Sequence, residues 1–72
     1  MTHNVETRMV ALRATRKTLF EASQQRLKLV KNKNAGVPVA QTQFDLANAQ
    51  IAAARDQVLD ARNNVRLALL EV

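Results

Sequence analysis

A chain of 72 residues with no cysteine and one histidine has no disulfide framework and no clustered Cys/His zinc site. Its residues are 47% hydrophobic but only 3% aromatic, and its one glycine and one proline sit together at mid-chain as Gly36-Val37-Pro38. That pattern leaves two long segments joined once. The formal charge of +5 is uneven: eight of the eleven Lys and Arg residues precede Gly36, against Glu6 and Glu21. After it, Arg55, Arg62 and Arg66 face Asp45, Asp56, Asp60 and Glu71.

A single core of this size seldom stabilises itself without cross-links, a metal or partners, so partners are expected. No run approaches the roughly 20 apolar residues of a membrane-spanning helix. Met1 to Val10 carries Thr2, His3, Asn4, Glu6, Thr7 and Arg8 where a signal peptide needs an apolar core. Any export signal is therefore expected outside this sequence.

The first segment predicts a helix over about 4–34. Asn4 is the expected N-cap with Glu6 in the first turn, and Lys28, Lys31 and Lys33 crowd the last turn, where the helix dipole favours cations. Val5, Met9, Leu12, Arg16, Leu19, Ser23, Arg26 and Val30 form a heptad row widened by Phe20 and Leu27. Arg16 and Arg26 belong to it by laying their stems over apolar surface. A second row of small and medium residues runs Ala11, Thr15, Thr18, Ala22, Gln25 and Leu29.

The turn is expected over 35–41. Gly36 suits a left-handed C-terminal cap, and Pro38 cannot continue the helix. The restart lies between Pro38, in a first helical turn, and Thr42, as a cap with Asp45 three residues on.

The second helix, expected over about 42–71, has the clearest pattern. Phe44, Ala47, Ile51, Ala54, Val58, Ala61, Val65, Ala68 and Val72 follow steps of three and four without a miss. Bulk alternates along this row. Alanine at every second position brings a partner helix close, at a cost in buried apolar area. A weaker second row, about a third of a turn away, runs Ala49, Ala52, Asp56, Leu59, Asn63, Arg66 and Leu70. Two rows imply neighbours on both sides. The expected fold is all-α: an antiparallel two-helix coiled-coil hairpin that assembles into a helical bundle or barrel.

The chemistry-bearing residues form no catalytic, cofactor or metal site. His3 lacks a second ligand, and Ser23 has no histidine in reach, so it reads as a small seam residue. Asp56 and Asp60, one turn apart, are expected to pair with Arg55 and Arg62 as solvated ions rather than act as acid and base. Gly36 alone makes no phosphate loop. These readings predict a non-enzyme. The basic first helix reads first as a solvated face and second as a contact for an acidic partner or anionic lipid headgroups. Nucleic acid is disfavoured, because Phe20 and Phe44 lie in or beside apolar rows and the first helix points its cations several ways. Val37-Pro38-Val39 is the exposed element of most interest, as turn packing or as a docking tip.

The run Phe44-Asp45-Leu46-Ala47-Asn48-Ala49-Gln50, followed by Ala61-Arg62-Asn63-Asn64-Val65-Arg66-Leu67-Ala68, resembles the helical hairpin of TolC-type outer membrane efflux proteins. Ala22, Leu27, Leu29, Val30 and Asn34-Ala35-Gly36 are similar to that family's helix ending in a glycine turn. The resemblance spans about Arg13 to Leu70. It implies a hairpin of a trimeric periplasmic α-barrel associated with the outer membrane, its turn toward a periplasmic adaptor protein. Two departures go with it: the interval from Gly36 to the Leu46-Ala47 run is about one turn shorter, and a family protomer carries two such hairpins plus strands. The chain is thus expected to be a fragment, an engineered hairpin or a reduced relative. The alternatives are the hairpin of a periplasmic adaptor (membrane fusion) protein, a small interaction subunit of a larger complex, and a basic nucleic-acid-binding hairpin.

Overall fold

The computed structural model describes the backbone of residues 2–71 and the side chains of residues 4–71. His3 and the last position of the second-helix row, Val72, lie outside the described side chains. Helix α1 runs Thr2–Asn34 and helix α2 runs Gln41–Leu70, with no strand among the described residues. The two pack against each other along their lengths as an all-α helical hairpin. At about 1.5 Å per residue, α1 alone is about 50 Å long, which accounts for an overall shape of 54 × 15 × 11 Å.

Asn4 lies inside α1 and Glu6 falls beyond its first turn, so the expected N-cap does not form there. No glycine or proline precedes Asn4, and a capping residue ends a helix only where the chain upstream leaves the ladder.

The other end of α1 closes by a Schellman arrangement. Val37 N–H donates to Asn32 O at 2.8 Å and Gly36 N–H to Lys33 O at 3.1 Å, satisfying carbonyls that the helix end would otherwise leave open. Gly36 sits at φ +85°, a conformation that a Cβ disfavours. Pro38 cannot continue the helix, and regular structure resumes after Ala40, the N-cap of α2 in an extended conformation at φ −71° and ψ 144°. Alanine has no side-chain acceptor, so only half of a capping box forms: Ala40 N–H donates to Gln43 Oε1 at 3.3 Å. Gln43 N–H returns to Ala40 O at 3.0 Å. Helix α2 therefore begins at Gln41, with Thr42 inside it rather than capping it.

The fully buried side chains among the described residues are Ala47, Ala54, Ala61 and Ala68, at 4, 3, 7 and 1% exposure. No large side chain reaches that state. The contact between the helices is therefore close but thin, since a buried methyl contributes far less than the roughly 1.5–3 kcal/mol of a buried Val or Leu. Neither helix is long and apolar enough to cross a membrane.

Candidate functional site

The candidate site is the set of three surfaces the hairpin offers to other molecules, its two long faces and its turn, and the seam decides which residues lie on each. In α2 the contact row is Phe44, Ala47, Ile51, Ala54, Val58, Ala61, Val65 and Ala68. Its alanines are buried and its larger members half-buried. The first-helix row is shifted from the sequence expectation. Val5, Leu12 and Leu19 do face α2, but the alternate positions are Arg8, Thr15, Ala22 and Leu29, all half-buried. Met9, Arg16 and Ser23, expected in that row, are exposed instead, while Val30 remains half-buried at the turn end.

The shift has a local cause. Opposite alanines, the seam accepts small or polar side chains if their polar atoms find partners. Thr15 Oγ1 donates to Leu12 O at 2.8 Å, leaving its methyl to pack. Arg8 Nη1 reaches Asn64 O at 2.8 Å. Ala22 and Ala54 line one groove and Leu29 and Ala47 line the next. Arg26, at a seam position, stays exposed and donates from Nε to Asn48 Oδ1 at 2.7 Å.

With this register, the two sides of the seam differ in chemistry. One side is amide-lined: Thr18 and Gln25 of α1 and Gln43, Gln50 and Gln57 of α2 border continuous shallow grooves. Gln43, Gln50 and Gln57 recur every seven residues, so they hold one azimuth along α2. The opposite side is arginine-lined. Arg16, Arg62 and Arg66 border a cleft floored by Leu12 and Val65 and closed by Leu69 and Leu70.

Asp56 and Asp60 do not pair with Arg55 or Arg62 among the described residues. Their separations of one, two, five and six residues miss the spacing of three or four that brings helical side chains together. Asp45 instead accepts from Gln41 Nε2 at 3.1 Å. Ser23 is exposed. No cluster of three or more potential metal-ligating side chains occurs among the described residues.

At the turn, Val37 is 48% exposed, Pro38 is exposed, and Val39 tucks halfway in. Lys33 Nζ lies 5.5 Å from the centre of the Phe44 ring, a cation–π contact that ties the end of α1 to the first turn of α2. The tip thus presents Gly36, Val37 and Pro38 on a braced base.

Two features escape a reading of either helix alone: the α1 register and the gathering of arginines. Both become visible when the α2 heptad is carried back across the turn and the helices are paired antiparallel. Compared with family models, with curated proteins and with solved structures, the chain matches none.

Proposed function

We propose that this hairpin is a structural element of a TolC-like export duct, packing laterally against other helices and meeting a partner through its turn. The carrying observation is an inversion of ordinary burial. The seam buries alanine, while Phe20, Leu46, Leu59, Leu67 and Leu70 remain 54–76% exposed. A self-sufficient hairpin would bury its large apolar side chains in its own contact; here Leu12, Leu19, Leu29 and Phe44 are only half-buried in the seam, and the five exposed ones point outward, where further helices would cover them. Ala49, Ala52, Asp56, Leu59, Asn63, Arg66 and Leu70, all exposed, form the α2 surface for such a neighbour. Gly36, Val37 and Pro38 form the docking tip. The role is architectural and assigns no catalytic residue.

Cross-linking tests the lateral contact cleanly, since the chain has no cysteine. A Gln24→Cys/Ala52→Cys variant carries one thiol on the outward side of each helix, and mild oxidation at high concentration should give a ladder of covalent multimers. A product that stays at one chain length would remove the lateral-packing reading.

A further inference from the structure

We propose that the arginine-lined face is a docking surface for an anionic lipid bilayer, on which the hairpin lies lengthwise. This goes beyond the export-duct reading and does not depend on it: Phe20, Leu59 and Arg66 also belong to the surface offered there to further helices, so a hairpin lying on a bilayer has no helical neighbour on that side.

The heptad register sorts the charges by side. Arg16, Arg55 and Arg62 occupy the positions that flank the seam on this face, and Arg13 and Arg66 the positions just outside them. Arg26 joins them by its bond to Asn48. All seven arginines of the chain except Arg8 therefore share one side, and Arg8 is drawn to Asn64 on the other. The acidic residues of this face among those described, Glu6 and Asp45, stand near its two ends. The amide-lined face has Glu21, Asp60 and Glu71 against Arg8 and Lys28. A net positive field thus covers one long side of a molecule only 15 × 11 Å in section.

Two observations select a lipid surface over other anions. First, Met9, Phe20, Leu27, Leu59 and Leu69 lie among these arginines by heptad position and are 41–63% exposed. Phosphate on a nucleic-acid backbone gives such side chains nothing to enter, whereas the headgroup boundary of a bilayer accepts them. Second, the cleft of Arg16, Arg62 and Arg66 sets guanidinium groups beside the apolar walls of Leu12, Val65, Leu69 and Leu70. That order, planar cation next to hydrocarbon, matches a phosphodiester next to its acyl chains. Phe20 is the one aromatic side chain on the face, so stacked bases find no platform.

The test is vesicle co-sedimentation of the full chain at about 0.1 M salt, where charges more than about 10 Å apart are largely screened. Vesicles of phosphatidylcholine alone are compared with vesicles containing phosphatidylglycerol, and circular dichroism confirms that each variant keeps its helicity. Arg16→Gln/Arg62→Gln/Arg66→Gln and Lys17→Gln/Lys28→Gln/Lys31→Gln remove the same charge from different sides. The arginine triple should lower partitioning onto the anionic vesicles by roughly a hundredfold, from about 1 kcal/mol for each of three cations near the surface. The lysine triple should lower it by less than about threefold. Equal losses in the two triples would overturn the proposal, as would absence of binding to phosphatidylglycerol or tighter binding to a DNA duplex than to the vesicles.

Discussion

Arg26 Nε donates to Asn48 Oδ1 at 2.7 Å, across the seam from one helix to the other. An arginine at a seam position would ordinarily separate two helices packed through alanine. Here Arg26 stays exposed and its head leaves on the arginine-lined side, where Asn48 accepts from it. The bond therefore marks where the seam ends and the outer face begins. Asn48→Ala should remove the acceptor without opening a cavity, at a cost of up to about 1 kcal/mol for an exposed hydrogen bond. Thermal melts of the parent and the variant at equal concentration give that difference.

The alanine row sets the distance between the helices. Ala54→Leu or Ala61→Leu should each destabilise the hairpin by about 1–3 kcal/mol through overpacking. Ala53→Leu, next in sequence but exposed, should change stability by less than about 0.5 kcal/mol. Melting temperature followed by circular dichroism distinguishes these cases. An unchanged melt and oligomeric state in Ala54→Leu/Ala61→Leu would count against the seam.

The α1 register is decided by neighbouring residues of opposite fate. Ala22 is half-buried while Ser23 is exposed. Ala22→Leu should be destabilising by about 1–3 kcal/mol, whereas Ser23→Leu should be neutral within about 0.5 kcal/mol. The reverse order in a chemical denaturation series would restore the row through Met9, Arg16 and Ser23.

The turn depends on a backbone conformation rather than on space. A Cβ at Gly36 would meet no atom within 4 Å, yet φ is +85°. Gly36→Ala should therefore cost about 1–2 kcal/mol, and Gly36→Asn less, since asparagine tolerates the left-handed region. A melt of Gly36→Ala indistinguishable from the parent would contradict the cap.

How much of this was legible in the sequence differs between the helices. The α2 row could be read because Phe44 to Ala68 never breaks its three-and-four step, and the turn because Gly36 and Pro38 have no competitors. In α1, two rows one residue apart compete. Met9 and Ser23 look better on hydropathy or size than Arg8 and Thr15. Only the facing alanines, the internal bond of Thr15 and the reach of Arg8 to Asn64 favour the second row, and the first and last of these depend on the paired helix. The arginine face was hidden for the same reason. On α1 alone the cations scatter; Arg16 gains Arg62 and Arg66 as neighbours only once α2 lies beside it.

In the proposed role the hairpin completes its packing with further helices, because its own contact fully buries only alanine among the described residues and leaves Leu46, Leu59, Leu67 and Leu70 outside. Sedimentation equilibrium across a concentration series, with helicity measured on the same samples, tests it most directly. The expected result is a weight-average mass that rises above the 8.0 kDa of one chain, with helicity and melting temperature rising alongside it. A strictly monomeric species with a cooperative melt independent of concentration would contradict it.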